Sequence, residues 1–116
     1  MFYKKNSEKE LSKELFKNPT SEYRAAPFWA WNCKMDNEML GEQIDFFKEM
    51  GFGGFHMHSR AGMAMRYLKK EFMDLVKFCT DKAKKEKMLS YLYDEDRWPS
   101  GFAGGEVVQG HPELRR

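Results

Sequence analysis

Residues 89–105, LSYLYDEDRWPSGFAGG, change abruptly from an apolar segment to a charged one. The first five residues are leucine, serine and tyrosine, and a run rich in leucine and tyrosine is typical of a buried β-strand. Four charged residues follow at positions 94–97, and a loop rich in tryptophan, proline and glycine completes the stretch. Parallel α/β proteins carry functional side chains where such strands end. The stretch therefore predicts a strand that delivers carboxylates into a functional loop.

Two earlier stretches predict strands of the same kind, with an amphipathic helix after each. AAPFWAWN at residues 25–32 predicts the first strand, and GGFHMHS at residues 53–59 predicts the second. Asp36 is the expected N-cap of a helix that runs to about Met50, and residues 68–87 predict a longer helix. The apolar stripe of the longer helix consists of Leu68, Phe72, Leu75, Val76, Cys79 and Ala83. The alternation predicts an α/β fold with three parallel strands and two crossover helices.

A short helix is also predicted near the N-terminus, over residues 7–17. Ser7 and Glu10 have the spacing of a capping box, in which each side chain accepts a hydrogen bond from the other residue's backbone. Asn18 and Pro19 end this helix, because a residue that precedes proline disfavours the helical conformation. We interpret the segment as a lead-in to the first strand.

Length and composition restrict the class of protein. The 116 residues suffice for one small domain, and a net charge of +2 favours neither nucleic acid nor a membrane surface as a partner. The sequence contains no run of about 18 apolar residues and no signal-peptide pattern at its start. Cys33 and Cys79 lie far apart and form no CxxC pair, so we expect free thiols. These features predict a cytoplasmic protein.

Polar and aromatic residues stand at the ends of all three predicted strands. Because the carboxyl ends of parallel strands meet at one edge of the sheet, these side chains are expected to form one wall of a polar pocket. The residues concerned are Trp31, Asn32, His58, Arg60, Asp94, Glu95 and Trp98. Such convergence is the strongest functional signal in the sequence.

Structural roles are alternatives for most of these residues. For Asp94 and Glu95, the alternative roles are to cap a helix or to form an ion pair with Arg97. Arg60 has an equivalent alternative as the partner of one of those carboxylates. His58 has an alternative role as a hydrogen-bonded structural histidine. The residues alone leave these alternatives open.

The tryptophans divide into two kinds. Trp29 and Trp31 alternate with Phe28 and Ala30 along the first strand, so one parity must face the core, and the alternation does not say which. Trp98 lies instead in a loop rich in proline and glycine, where a role as an exposed stacking platform is favoured.

His56 and His58 are two residues apart on a predicted strand and therefore point to the same side. Some metal-dependent hydrolases hold a metal ion through such a pair at the end of a strand, by way of neutral imidazole nitrogens. Asp94 is the candidate for a third ligand. A metal-dependent hydrolase is thus an alternative reading of the same fold.

Three motifs together resemble a known enzyme group. PFWAWN, GFGGFHMHSR and YLYDEDRWPSGFAGG occur in this order, separated by helices of similar size, from about Phe16 onward. This combination resembles the N-terminal part of bacterial glycoside hydrolases similar to the α-L-rhamnosidases of glycoside hydrolase family 106. The resemblance implies a (β/α)₈ TIM barrel of which this chain supplies the first three strands. It implies a lead-in at residues 1–24 and a truncated catalytic domain at residues 25–116.

The resemblance also carries expectations about function. It implies hydrolysis of O-glycosyl bonds, with a carbohydrate as substrate and the rest of the barrel as the missing partner of this chain. It implies that the seven strand-end residues lie around a sugar subsite; Glu95 and Asp94 are the candidates for catalysis, although the acid and the base stay unassigned. No cofactor is expected, apart from calcium in the full-length parent. A catalytically inert fragment or a sugar-binding remnant is the further alternative.

Overall fold

Three parallel strands form one sheet in the structure, a computed structural model that describes residues 7, 9–10, 12–98 and 100–114. The strands are β1 (Phe28–Trp31), β2 (Gly54–Ser59) and β3 (Leu89–Asp96), and they lie side by side in this order. The sequence therefore predicted the α/β class and the parallel strands correctly. Closure into an eight-stranded barrel stays a prediction, because the described residues contain three strands.

Two helices connect the strands, α2 (Asn37–Glu49) after β1 and α3 (Lys70–Lys85) after β2. The carboxylate of Asp36 accepts a hydrogen bond from the backbone N–H of Met39 at 2.9 Å, which confirms the predicted cap of α2. Gly51 follows the end of α2 with a φ of 84°, a left-handed conformation that glycine adopts without a steric penalty. Within the described ranges, no helix is long and apolar enough to cross a bilayer.

The predicted N-terminal helix begins later than the sequence suggested. Helix α1 spans Lys13–Lys17, and the Ser12 hydroxyl accepts a hydrogen bond from the backbone N–H of Leu15 at 3.3 Å. The predicted capping box of Ser7 and Glu10 is wrong, because both residues lie outside the helix and Ser12 supplies the cap. Positions 8 and 11 of the predicted helix lie outside the described residues. The division of the chain at residue 24 stays a prediction.

The hydrophobic core lies between the sheet and the two connecting helices. Trp29 and Trp31 are the β1 residues that face it, while Phe28 and Ala30 are exposed on the other side. The ring of Trp31 packs edge-on against Phe72 of α3, with ring centres 5.6 Å apart. The structure thus shows that the two tryptophans of β1 face the core, which the alternation of residues alone did not decide.

Helix α3 contributes a shorter apolar stripe than predicted. Its buried side chains are Phe72, Leu75, Val76, Cys79 and Ala83. Leu68 does not belong to the stripe, since it lies before the helix with a φ of 55° and is 40% exposed. Lys69 occupies the N-cap position and forms no capping hydrogen bond through its side chain.

Strand β3 differs from the predicted buried strand in length and in exposure. It continues through Asp94, Glu95 and Asp96, with an irregularity in its pairing opposite residues 57–59. Tyr91 is 42% exposed and Leu92 is 41% exposed. The prediction of burial was wrong because β3 lies at an edge of the sheet, with no further strand beside it among the described residues. Its contact with α3 leaves Leu92 partly exposed.

The sheet face that points away from the helices, which we term the open face, carries a row of rings. His58 lies between Phe28 of β1 and Tyr93 of β3, with ring centres 4.4 and 4.0 Å away. His56 stacks on Tyr91 at 4.4 Å with an angle of 12° between the ring planes. In the described part of the chain no second layer covers this face.

Candidate functional site

Hydrogen bonds between backbones align the ends of the three strands. The N–H of Arg60 donates to the carbonyl of Trp31 at 2.9 Å, and the N–H of Arg97 donates to the carbonyl of Ser59 at 3.2 Å. The carboxyl ends of β1, β2 and β3 therefore lie together. We term this region the carboxyl edge, and it includes the strand ends and the loops that leave them.

The loop after β2 passes directly over the loop after β1. A Cβ atom on Gly62 would lie 2.4 Å from the carbonyl oxygen of Asn32, so this approach requires glycine. The φ of Gly62 is 102°, which disfavours other residues as well. The Ala64 N–H donates to the carbonyl of Cys33 at 3.2 Å and holds the two loops together. Asn32 is exposed at the carboxyl edge.

Sequence reasoning missed the buried residues in the loop after β2. Met63, Met65 and Tyr67 are all buried, and their spacing of two residues is the signal that could have identified them. The Tyr67 ring packs against Phe72 at 5.3 Å between ring centres. Burial raises the pKa of Tyr67, and the nearby carboxylate of Glu95 raises it further. Tyr67 therefore stays protonated and forms the floor beneath the loop after β3.

Glu95 is fully buried, and backbone N–H groups surround its carboxylate. Asp96 and Gly104 donate to Oε1, while Phe102 and Ala103 donate to Oε2. Burial by itself raises the pKa of Glu95, but the four donors together lower the pKa below its ordinary value. The carboxylate is ionised and has no free acceptor position for a ligand.

The two flanking carboxylates have different partners. Asp94 is exposed, and its Oδ2 accepts a hydrogen bond from the Ser100 hydroxyl at 2.6 Å. Asp96 accepts a hydrogen bond from the Ser59 hydroxyl and lies 3.2 Å from Nε of Arg97. Arg97 thus forms its ion pair with Asp96 and not with Asp94 or Glu95, the partners that the sequence suggested. Asp94 is the carboxylate of this triplet that a ligand can reach.

The predicted site residues divide between the surface and the core. Trp98 is 71% exposed, and Asn32, Arg60 and Asp94 are exposed with it at the carboxyl edge. Arg60 forms no ion pair with any residue that the structure describes. Trp31 has no exposed surface, and its indole N–H has no hydrogen-bond partner in the described chain. Its position gives Trp31 a packing role.

His58 is a buried histidine that the described residues leave without hydrogen bonds. It is 3% exposed, and both ring nitrogens lack a partner there. Burial lowers the pKa of His58, and the positive charge of Arg60 lowers it further, while Asp96 acts in the opposite direction. The imidazole is therefore neutral at neutral pH. The alternative of a hydrogen-bonded structural histidine does not describe it.

The two histidines of β2 lack a third metal ligand in the described part of the chain. His56 and His58 both lie on the open face, as the spacing predicted, and each contacts an aromatic ring there. Among the residues that the structure describes, no three His, Cys, Asp or Glu side chains converge as a metal site would require. The geometry therefore gives no support to the alternative of a metal-dependent hydrolase.

Comparisons with known proteins bear on the fold. No protein-family model matches the sequence, and no curated protein matches it significantly. A solved structure of a rhamnosidase from Novosphingobium sp. PP1Y is similar, with a TM-score of 0.59 and 20% sequence identity. The match covers 77% of this chain and 9% of that rhamnosidase, so the chain spans a small part of its length. The α/β fold described above is thus similar to part of a rhamnosidase.

Proposed function

We propose that this chain is part of a rhamnosidase-like glycoside hydrolase built on a (β/α)₈ barrel. Its carboxyl edge supplies one wall of the subsite that binds the sugar. The similarity of fold to a rhamnosidase and the three sequence motifs support this proposal. Parallel β/α barrels carry their active sites at the corresponding edge.

The exposed side chains at the carboxyl edge are the observation that carries the proposal. Asn32, Arg60 and Asp94 offer amide, guanidinium and carboxylate groups, which together donate and accept hydrogen bonds as sugar hydroxyls require. The indole of Trp98 is 71% exposed and offers a flat surface for the C–H face of a sugar ring.

The carboxyl edge by itself does not supply the two accessible carboxyl groups that catalysis requires. Hydrolysis of a glycoside requires two carboxyl groups on either side of the bond, about 5–5.5 Å apart for retention and about 6.5–9.5 Å apart for inversion. Asp94 is accessible, whereas the Glu95 carboxylate is fully occupied by backbone donors. We therefore propose Asp94 as a sugar contact, and place the catalytic pair at least partly in strands beyond the described residues.

Sugar binding by the purified chain tests the proposal. We expect L-rhamnose to perturb the fluorescence of Trp98 and to bind more tightly than D-glucose. Trp98→Ala should weaken the binding by about tenfold, because a stacking interaction is worth up to about 1.4 kcal/mol. Isothermal titration calorimetry and fluorescence titration measure both affinities.

Phe46→Ala is the matched control for loss of an exposed aromatic ring. Phe46 is 56% exposed on α2, which lies outside the carboxyl edge, so its removal should leave the affinity for L-rhamnose unchanged. Equal affinities of the Trp98 and Phe46 variants would contradict the proposed subsite. Absence of any binding of L-rhamnose to the unmodified chain would contradict it as well.

A further inference from the structure

Residues 97–98 and 100–105, which we term the rim loop, leave β3 and fold back over its last residues. Phe102 has a right-handed conformation, and the three residues that follow have φ values of 51°, 62° and 82°. Successive backbone N–H groups in such a sequence of conformations converge on one point and form an anion-binding concavity. In this chain the anion in the concavity is the carboxylate of Glu95.

Each carboxylate oxygen of Glu95 accepts two hydrogen bonds from the backbone around it. Phe102 and Ala103 donate to Oε2 at 2.5 and 2.6 Å, Asp96 donates to Oε1 at 2.8 Å, and Gly104 completes the set. No basic side chain of the described residues forms an ion pair with Glu95. A buried charge without such compensation is strongly unfavourable, so the four backbone donors are what keep it buried.

Apart from the bonds to Glu95, the described residues of the rim loop have few contacts that hold its conformation. Ala103 has a positive φ, which is unfavourable for a residue with a Cβ atom and requires support from its surroundings. At the start of the loop, the Arg97 N–H donates to the carbonyl of Ser59 at 3.2 Å. The side-chain attachments are exposed: the Ser100 hydroxyl donates to Asp94, and Lys69 pairs with Glu106 just after the loop at 3.0 Å. Exposed contacts of this kind contribute little. Glu95 is thus the principal buried anchor of the loop.

Trp98 depends on this anchor through the backbone. Its indole makes no ring contact with the described aromatic side chains and is 71% exposed, so the path of the loop determines where it lies. Gly104 also fits closely, because a Cβ atom there would lie 3.0 Å from Tyr67 and 3.2 Å from Asp96. The loop therefore has one tightly fitted end beside the carboxylate and one free aromatic side chain.

We propose that Glu95 is a positioning residue whose ionised carboxylate fixes the rim loop and thereby presents Trp98 to the ligand at the carboxyl edge. That Trp98 meets a sugar rests on the function proposed above. The fixation of the loop by Glu95 is a separate statement with its own measurement. Glu95 acts through the loop and does not touch the sugar.

Chemical rescue tests the fixation of the loop. Glu95→Ala removes the carboxylate and leaves a space lined by N–H donors, which formate fits. In NMR spectra of the full chain, we expect the amide protons of Phe102, Ala103 and Gly104 to shift upfield and exchange faster in this variant. The Trp98 indole signal should move with them, and millimolar formate should restore all four signals.

Two further variants serve as controls. Glu95→Gln fills the same space but points an NH₂ group at backbone donors, so the loop signals should be lost and formate should not restore them. Glu106→Gln removes an exposed carboxylate next to the rim loop and should leave the amide signals of Phe102–Gly104 in place. Unchanged loop signals in Glu95→Ala, or equal rescue of the Ala and Gln variants, would overturn the inference.

A titration of the unmodified chain covers the case in which the variants do not fold. As pH falls below the ordinary value of 4.5, Glu95 takes up a proton, and the amide signals of the rim loop should shift with its carboxyl carbon. The charged and titratable groups around Glu95 are Asp94, Asp96 and Arg97 on the same segment and Tyr67 from the loop after β2. Loop amides that follow another carboxylate, and not Glu95, would also overturn the inference.

Sugar binding separates the two proposals. Glu95→Ala should weaken the binding of L-rhamnose roughly tenfold, as loss of the Trp98 platform does, and formate should restore the affinity. A variant whose rim loop is released but whose affinity is unchanged would overturn the positioning role. If the unmodified chain binds no L-rhamnose, the proposed function fails, while the amide signals still decide whether Glu95 fixes the loop.

Discussion

At the scale of single residues, two buried polar side chains show opposite responses to loss of water. Glu95 keeps its charge because four backbone N–H groups replace the water it has lost. His58 loses its charge instead, because the rings of Phe28 and Tyr93 beside it offer no hydrogen bonds to an imidazolium. Both outcomes follow from the cost of burying a charge, and they differ because Glu95 has hydrogen-bond donors for its carboxylate whereas His58 has no acceptor for an imidazolium among the described residues.

The neutral His58 makes stability depend on pH. Its pKa in the folded chain lies below the ordinary value of 6.5, so the unfolded chain binds a proton more readily. Stability should therefore fall as pH decreases through about 6.5, and it should be fully present above that value. His58→Phe should remove this component, since phenylalanine fits between aromatic rings and does not titrate. Melting temperatures between about pH 8 and pH 5.5 measure the effect.

His56→Phe is the control, because it removes another imidazole from the same open face. Unlike His58, His56 is only partly buried, and it stacks on Tyr91. The pH dependence should disappear from the His58 variant alone. A loss of equal size in the His56 variant would show that burial between Phe28 and Tyr93 is not the cause.

At the scale of elements, helix α2 contains one glycine in its interior and another just past its end. Gly41 faces α3, where a Cβ atom would lie 3.5 Å from Cζ of Phe78, an ordinary van der Waals distance. Gly51 has a φ of 84°, which an alanine adopts only with strain. The same substitution at the two positions therefore tests two different physical effects.

Gly41→Ala and Gly51→Ala should change stability in opposite directions. We expect Gly41→Ala to raise the free energy of unfolding by about 0.5–1 kcal/mol, since alanine restricts the unfolded chain and fits the helix. Gly51→Ala should lower it by about 1 kcal/mol through left-handed strain. Urea denaturation midpoints measure both, provided the slope is unchanged. Stabilisation by Gly51→Ala would contradict the assigned conformation.

At the scale of the whole molecule, the sheet has one covered face and one open face. The helices bury Trp29, Trp31, Phe55 and Met57, whereas Phe28 on the open face is 56% exposed. Strand β3 presents an unpaired edge within the described residues, with Leu92 41% exposed on the helix side. Exposed apolar edges are templates for association, so this arrangement favours self-association at high concentration.

Leu92→Lys should reduce that self-association. A charge on an edge strand opposes pairing with another strand, which is how natural edge strands avoid aggregation. Met73→Lys on α3 is the matched control, because Met73 is also 41% exposed but lies on a helix. Sedimentation velocity at several concentrations measures the association. Equal effects of the two substitutions would show that general charge, and not the β3 edge, governs it.

The sequence predicted some features of the site and missed others for identifiable reasons. Asp36 as a cap was predictable, since a cap interacts with residues three positions away. The exposure of Trp98 followed from its loop composition. The burial of Leu92 was predicted wrongly, because its apolar side chain is typical of a core strand and only the position of β3 at the edge exposes it. The occupied carboxylate of Glu95 was missed because its donors lie in a loop without a periodic pattern.

The sequence by itself determined the order of strands and helices, because alternation and helical periodicity are local properties of the chain. The tertiary structure alone decided which face of β1 is buried, that His58 lies between Phe28 and Tyr93, and that Glu95 is enclosed by residues 102–104. Those outcomes depend on the register of neighbouring strands and on the left-handed turn of the rim loop. The physical reason is that hydrogen bonding and burial are set by partners brought together in space, which the local pattern of residues does not specify.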